Sequence, residues 1–158
     1  CRTTGSRKFA TGKFFSRDYA SLQGRPRRAG LFFCHVYATM INGNCHCGAV
    51  SFEFNEDVDW LTDCNCSICR RQGTLWAHAE MKKVTVSKAE DATLADVWGD
   101  GELAFHSCKT CGCTTHWESV KPTDSSPMAV NCKLADPEQI AQLRVRHFDG
   151  ADSWKYLD

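Results

Sequence analysis

The stretch Cys64-Asn65-Cys66-Ser67-Ile68-Cys69 holds three cysteines, and two further close pairs occur at Cys45/Cys47 and Cys108/Cys111. These seven thiols divide into a group of four and a group of three. Four thiolates complete the tetrahedral shell of a zinc ion, whereas three leave one position open, which is the difference between a structural and a catalytic zinc site. The cysteine pattern therefore predicts two zinc ions per chain with different roles.

The spacing of the cysteines favours metal binding over disulfide formation. The chain has 11 cysteines, and most are separated from a neighbour by only one or two residues. A disulfide that closes so small a loop restrains the unfolded chain very little. Clustered thiols of this kind are typical of metal sites in a reducing compartment, so we expect a cytoplasmic protein. Disulfides or a metal-free redox dithiol are the alternative.

The group of four comes from two segments that are far apart in the sequence. Cys45 and Cys47 project to the same side of an extended chain. Cys108 and Cys111 have the spacing of a zinc knuckle, and Gly112 follows to relieve strain at the end of its turn. One zinc ion shared by both pairs would join the two segments, and metal binding would then contribute to folding. Two pairs of merely buried thiols are the alternative.

The group of three comes from one loop, and its fourth ligand is not evident from the sequence. An open zinc site would bind a substrate thiolate or water, which makes Cys64, Cys66 and Cys69 the candidate catalytic residues. In the second interpretation another side chain closes a second structural site, and the candidates are His78, His106, His116 and Cys113. In the third interpretation, the three cysteines form a metal-free redox loop.

The candidate substrate- or cofactor-binding residues follow the group of three cysteines in the sequence, and they are Arg70, Arg71 and Trp76. Arg70 and Arg71 follow Cys69 directly. They could offset the negative charge of a zinc ion with three thiolates or hold a substrate carboxylate, although a solvated surface pair is equally expected. Trp76 could wall a pocket, but an aromatic residue in a strand is more often part of the core.

The charge distribution separates a leader from the domain. Residues 1–39 contain eight Lys or Arg and one acid, which leaves 11 basic and 18 acidic residues, a net charge of −7, for residues 40–158. An acidic domain is a poor prospect for nucleic-acid binding, which needs clustered Lys and Arg. No apolar run approaches the length of a membrane helix. We expect small-molecule partners, and the sequence does not predict an oligomeric state.

Residues 1–39 are expected to be a disordered leader, followed by one zinc-binding domain over residues 40–158. Met40 directly precedes the first motif and could be the natural start, in which case the leader is artefactual or dispensable. A basic, acid-poor leader is also typical of an organelle targeting segment. A folded role for the leader is the third alternative.

Hydrophobic alternation predicts a mainly β domain. Val50, Phe52 and Phe54 alternate with smaller or polar residues, as in a half-buried strand. Residues 93–98 fit either a strand or a helix. One short C-terminal helix is expected, with Asp136 as its cap and Pro137 at its first position. The predicted strands are residues 49–54, 74–79, 82–87, 103–107, 113–118, 128–132 and 144–148.

Three motifs resemble those of one known family. Gly43-Asn44-Cys45-His46-Cys47-Gly48-Ala49-Val50 resembles the GxCHCGAV motif of the glutathione-dependent formaldehyde-activating enzyme family, which includes the domain of centromere protein V. Residues 64–71 are similar to its CxCSxCRR motif, and residues 105–112 to its FCxxCG motif. The resemblance covers about residues 41–156, with Ser107 and Cys113 as departures.

The resemblance implies a β-tent fold with zinc-ribbon-like knuckles and two zinc ions. Cys45, Cys47, Cys108 and Cys111 would hold the structural zinc, and the group of three would hold the catalytic one. The implied reaction condenses glutathione with formaldehyde and is formally a carbon–sulfur lyase reaction run in reverse. A lyase acting on another thiol adduct is a second possibility. A non-catalytic, zinc-stabilised binding module of the centromere protein V type is the third.

Overall fold

Two β-sheets make up the part of the chain that the computed structural model describes, residues 40–158. The prediction of a leader over residues 1–39 lies outside the described residues. The ten strands are β1 (Ile41–Asn44), β2 (Val50–Phe54), β3 (Trp60–Cys64), β4 (Trp76–Glu80), β5 (Val84–Lys88), β6 (Thr93–Val97), β7 (Leu103–Cys108), β8 (Thr114–Ser119), β9 (Pro127–Asn131) and β10 (Arg144–Phe148). Two four-residue helices, α1 (Cys69–Gln72) and α2 (Pro137–Ile140), join them.

The smaller sheet has the strand order β1-β2-β5, and the larger has the order β10-β3-β4-β9-β8-β7-β6. Strands β10 and β3 are parallel, and the other paired strands are antiparallel. The alternation predicted for β2 is confirmed, since Val50, Phe52 and Phe54 are buried. Phe52 and Phe54 pack with Leu61, Ala77 and other residues of the larger sheet, so the main core lies between the two sheets.

The larger sheet also carries an apolar layer on its other face. Along β4, Ala77 and Ala79 enter the main core, whereas Trp76 packs on the opposite side with Trp117 and Ala129. Successive residues of a strand point to opposite faces, so one strand serves both layers. The second layer also contains the three cysteines of the Cys64–Cys69 loop. The side chains of this layer therefore support the candidate site.

The prediction of a mainly β fold with knuckles and a short C-terminal helix is confirmed. Residues 93–98, which fitted either a strand or a helix, form strand β6. The expected strand over residues 82–87 begins later, because Met81–Lys83 form a 3-10 turn before β5. The sequence reading missed β1, β3 and α1. The first two are short and do not alternate cleanly, and α1 is one turn set by the cysteine loop.

Helix α2 begins as predicted and is tied to the smaller sheet. The Asp136 carboxylate accepts a hydrogen bond from the Glu138 N–H (3.0 Å), and Pro137 occupies the first turn. Gln139 does not turn back to the cap, as a capping box would require. Its Oε1 accepts from the Asn42 N–H (2.9 Å) in β1 instead. Within residues 40–158, no helix has both the length and the apolar character needed to cross a bilayer.

Candidate metal centres

The four predicted structural cysteines come together in one cluster. Cys45 Sγ lies 3.6 Å from Cys47 Sγ, which lies 3.6 Å from Cys108 Sγ. All four sulfurs, including that of Cys111, lie within 4.8 Å of one another. Zinc–sulfur bonds of about 2.3 Å in a tetrahedron place the sulfurs roughly 3.8 Å apart. The donor set and the spacing fit a Zn²⁺ ion, and these four thiols are the residues that would hold it.

Two tight turns bring these thiols together. The Gly48 N–H donates to the Cys45 carbonyl (2.9 Å), and the Gly112 N–H donates to the Cys108 carbonyl (2.8 Å). Both glycines have positive φ, 79° and 74°, a conformation that side chains disfavour. The Cys45–Cys47 turn leads into β2 of the smaller sheet, and the Cys108–Cys111 turn follows β7 of the larger one. The cluster therefore joins the two sheets.

The three predicted catalytic cysteines form a second cluster, here called the thiol triad: Cys64, Cys66 and Cys69. Cys64 ends β3 and Cys69 begins α1, so the loop between them folds back on itself. The Cys66 N–H points at Cys64 Sγ (3.4 Å), and the Arg70 N–H donates to the Cys66 carbonyl (3.2 Å). No fourth Cys, His, Asp or Glu atom joins the triad within residues 40–158.

The thiols of the triad shift one another's pKa values in opposite directions. Thiol hydrogen bonds from Cys64 and Cys69 lower the pKa of Cys66 to about 2. Hydrogen bonds with Cys64, then Cys66, raise the pKa of Cys69, with burial adding to the effect. One thiolate is thus stabilised by two neighbouring thiols, and further ionisation is opposed by the negative charge already present. A bound metal ion removes that opposition, because coordinated thiols are deprotonated.

The second apolar layer surrounds the triad with aromatic side chains. Trp76 is 1% exposed and donates its Nε1–H to Cys69 Sγ (3.2 Å). Trp117 and Phe105 pack beside it. His78 lies on the same face of β4 as Trp76, and its ring meets the Trp117 ring edge-on at 5.6 Å. Burial lowers the pKa of His78 to about 4, so the ring is neutral at pH 7.

A C-terminal loop closes over the other side of the triad. A Cβ atom added to Gly150 would lie 2.7 Å from Cys64 Sγ, so only glycine permits this approach. Asn65 clamps the loop, because its side chain donates to Asp149 Oδ1 and accepts from the Ala151 N–H, both at 2.9 Å. Hydrogen bonds from Ser153, then Asn65, lower the pKa of Asp149 to about 2. The sequence analysis did not predict this loop.

The predicted substrate-binding residues differ in their surroundings. Arg70 and Arg71 are both exposed at the end of α1. The Arg71 guanidinium donates to the Ser67 carbonyl (2.6 Å), which braces the triad loop. Trp76 is buried against Cys69 and does not present an open wall. A substrate-binding role for these three residues stays a prediction.

The residues proposed as closing ligands of the triad lie elsewhere. His106 and His116 belong to a separate group with Glu118, a residue that the sequence analysis did not single out. Cys113 packs beside the four-cysteine cluster, and its carbonyl accepts from the Cys108 N–H (2.9 Å). His78 shares the apolar layer of the triad, but it is not among the ligand atoms gathered there. The alternating pattern of β7 and β8 is the sequence signal from which the group of His106, His116 and Glu118 could have been predicted.

Comparison with known proteins agrees with the motifs. The family model for glutathione-dependent formaldehyde-activating enzyme matches residues 40–148, which is most of the chain. A crystal structure of a Rhodobacter sphaeroides protein is 27% identical, with a TM-score of 0.53, and the match covers 66% of this chain and 98% of that chain. The span that the family model matches includes both cysteine clusters and the strands that carry them. The chain therefore belongs to the glutathione-dependent formaldehyde-activating enzyme family.

Proposed function

We propose that this protein is a zinc-dependent enzyme of the carbon–sulfur lyase type, which makes or breaks the adduct of a thiol and an aldehyde. Glutathione and formaldehyde are the proposed substrates, as the family description supports. The observation that carries the proposal is the thiol triad, in which three sulfurs converge and no fourth protein ligand joins them within residues 40–158. Three protein donors leave a coordination position for a substrate.

The triad residues would hold the zinc ion, and the four-cysteine cluster would hold a second, structural ion. Held by the three thiols, the ion would lower the pKa of an incoming thiol and so favour its ionisation at neutral pH. The chain itself orients the ligands. The indole N–H of Trp76 fixes Cys69, and the loop at Gly150 packs against Cys64. Contacts of this kind around metal-binding side chains hold those side chains in a productive geometry.

The surroundings of the triad would favour the addition step. Phe105, Trp117 and Leu103 exclude water on one side, which strengthens electrostatic interactions with the bound thiolate. In the addition, a C–S bond forms as the S–H bond and the carbonyl π bond break, and the proton that the thiol releases to solvent is balanced by the proton that the carbonyl oxygen takes up. Positioning would supply much of the rate, because thiols add to aldehydes readily without a catalyst.

Arg70 supports the choice of a carboxylate-bearing thiol such as glutathione. Its side chain is exposed directly after the last ligand of the triad, whereas Arg71 is engaged with Ser67. A guanidinium binds a carboxylate through paired, charge-assisted hydrogen bonds. Arg70 is therefore the proposed substrate-binding residue, and Arg71 the proposed brace of the loop.

The test is the exchange rate between free glutathione plus formaldehyde and their hydroxymethyl adduct, measured by NMR with the full-length protein. The wild type and Cys113→Ser should accelerate the exchange, because Cys113 lies outside the triad. Cys66→Ser should abolish the acceleration. Formaldehyde with a second thiol, such as cysteine, and glutathione with a second aldehyde test the choice of substrate.

Two results would overturn the proposal. If Cys66→Ser accelerates exchange as well as the wild type, the triad is not catalytic. If the zinc-loaded wild type accelerates no thiol–aldehyde combination, the domain is not this enzyme, and the non-catalytic binding module becomes the better account. Acceleration with another thiol, but not with glutathione, would keep the reaction class and replace the substrate.

A further inference from the structure

A third group of metal-ligating side chains lies on the face of the larger sheet opposite the thiol triad. His106 of β7 is the cross-strand partner of His116 of β8, and Glu118 follows on the same side of β8. Residues i and i+2 of a strand, and the residue opposite, share one face. One ligand atom from each of the three lies within 4.8 Å of the other two. The neighbouring Trp117 and Phe105 point the other way, into the layer of the triad.

The His106 ring has an unsatisfied nitrogen in this group. His106 is only 9% exposed and His116 only 2%. The Nε2 atom of His106 is buried and has no hydrogen-bond partner among residues 40–158. Glu118 Oε1 is 3.3 Å away, but it is not aligned for a hydrogen bond. The nitrogen therefore has a carboxylate nearby but no aligned hydrogen bond, and a metal ion between the two would coordinate both.

Threonine hydroxyls fix the other nitrogen of each ring. Thr93 Oγ1 lies 3.1 Å from Nδ1 of His106, and Thr115 Oγ1 lies 2.8 Å from Nδ1 of His116. When Thr115 donates its single proton to the His106 carbonyl (3.2 Å), it accepts from Nδ1–H of His116. The Nε2 atom of a neutral His116 then carries a free lone pair.

We propose that His106, His116 and Glu118 form a third metal site, separate from both cysteine clusters, which binds a divalent transition-metal ion of the zinc type. The two rings are stacked at 4.4 Å with an angle of 4° between their planes. Their lone pairs therefore run parallel, and one ring must turn about its terminal torsion for both to reach one ion. That torsion is soft in histidine. The ring that turns gives up its threonine contact, and the threonine contact of the other ring corresponds to the outer hydrogen bonds that orient metal-bound histidines.

The donor set defines the kind of ion. Two imidazoles and one carboxylate suit zinc, iron or nickel better than magnesium or calcium, which prefer oxygen ligands throughout. Glu118 is partly exposed, with 27% of its side-chain surface accessible. An ion held by three protein ligands next to solvent would keep at least one position for water or a small ligand. Without thiolates, this site should bind more weakly than the cysteine clusters.

The test is a Zn²⁺ titration of the full-length protein, after both cysteine clusters have been loaded and excess metal has been removed. Calorimetry and metal analysis should find one additional ion per chain, and NMR should show shifted signals from two histidine rings. Glu118→Gln and His116→Asn should each weaken binding of this ion by at least about 100-fold, because even outer-contact changes cost 10- to 100-fold. Circular dichroism checks that each variant is folded.

His147→Gln is the matched control. His147 is an exposed histidine beside a carboxylate, with Nδ1 3.3 Å from Asp63, but it belongs to no group of three ligands within residues 40–158. This variant should bind the additional ion as the wild type does. The proposal is overturned if the wild type takes up no additional ion. It is equally overturned if Glu118→Gln retains the ion with unchanged affinity, because Gln keeps the side-chain shape and the exposed position makes unfolding unexpected.

Discussion

At the scale of single residues, the contacts of each cysteine separate the two clusters more clearly than their spacing does. Cys45 and Cys108 are almost fully buried within a set of four thiols. Cys69 is also buried, but its sulfur accepts a hydrogen bond from Trp76 and has only two thiol neighbours. The hydrogen bond from the Trp76 indole to Cys69 could not be predicted from the sequence, because an aromatic residue in a strand is more often part of the core.

Trp76→Phe should weaken zinc binding at the triad by about 10- to 100-fold, because it removes the N–H that orients Cys69. The change also leaves a space, which should reduce the free energy of unfolding by about 1–2 kcal/mol. Competition with a chelator measures the first effect. Trp60→Phe is the control, since it removes an indole hydrogen bond to Tyr156 (3.4 Å) without touching a thiol. Equal zinc loss in both variants would show that the Cys69 contact has no special role.

Arg70→Ala should raise KM for glutathione about tenfold with little change in kcat, because one exposed charge-assisted pair contributes on the order of 1.5 kcal/mol. Arg71→Ala should instead weaken zinc binding, since its guanidinium braces the loop at Ser67. Steady-state kinetics and chelator competition distinguish the two effects. A thiol without carboxylates, such as 2-mercaptoethanol, should be insensitive to Arg70→Ala. An unchanged KM for glutathione would remove Arg70 from the binding site.

His78→Leu should become more stabilising as the pH falls. Burial lowers the pKa of His78 to about 4, so between about pH 6.5 and 4 the unfolded chain binds a proton that the folded chain does not. Stability contributed by the neutral ring is present above pH 6.5 and is lost as the pH falls towards 4. The free energy of unfolding of the variant relative to that of the wild type should be about 1–2 kcal/mol higher at pH 5 than at pH 7.5. Denaturant unfolding at both pH values measures it, and a constant difference would contradict the burial of the ring.

At the scale of elements, the alternating strands were predictable and the loops that build the site were not. β2 and β10 were found from their patterns, and the cap of α2 from Asp136 and Pro137. Helix α1 has no periodic signal, because its single turn is set by the triad loop. The loop at Gly150 also could not be placed, since a contact with Cys64 depends on the parallel pairing of β10 with β3. The sequence therefore predicted which cysteines lie together, whereas their enclosure required the fold.

Gly150→Ala should disturb the triad without a large loss of stability. The added Cβ would lie 2.7 Å from Cys64 Sγ and 3.1 Å from Cys66 Cβ, so either the loop or a ligand must move. We expect the free energy of unfolding to fall by about 1–3 kcal/mol, together with loss of activity and weaker zinc binding at the triad. Chelator competition and the exchange assay measure these effects.

Gly101→Ala is the control for this substitution. Gly101 has a φ of 74° and open space around its Cβ position, so alanine there costs backbone strain of about 1 kcal/mol without contacting a ligand. Its zinc content and activity should stay at wild-type levels. Loss of activity in both variants would mean that general destabilisation, and not contact with Cys64, explains the effect of Gly150→Ala.

At the scale of the whole molecule, we expect the two clusters to contribute differently to folding. The four-cysteine cluster joins the turn before β2 to the turn after β7, and so links the smaller sheet to the larger one. The triad lies within one loop against the larger sheet, where strand pairing and the Trp76 layer already define the fold. Metal binding that joins distant segments contributes to folding. Loss of the first ion should therefore unfold the domain, and loss of the second should not.

The most direct measurement is zinc content together with circular dichroism for Cys66→Ser and Cys108→Ser beside the wild type. Cys66→Ser should carry one zinc ion fewer than the wild type, keep its β-sheet spectrum and have no activity. Cys108→Ser should lose its folded spectrum at room temperature, because the metal link between the two sheets is lost and its binding free energy no longer contributes to folding. If Cys66→Ser unfolds as completely as Cys108→Ser, or keeps all of its zinc, the division into a structural and a catalytic site is wrong.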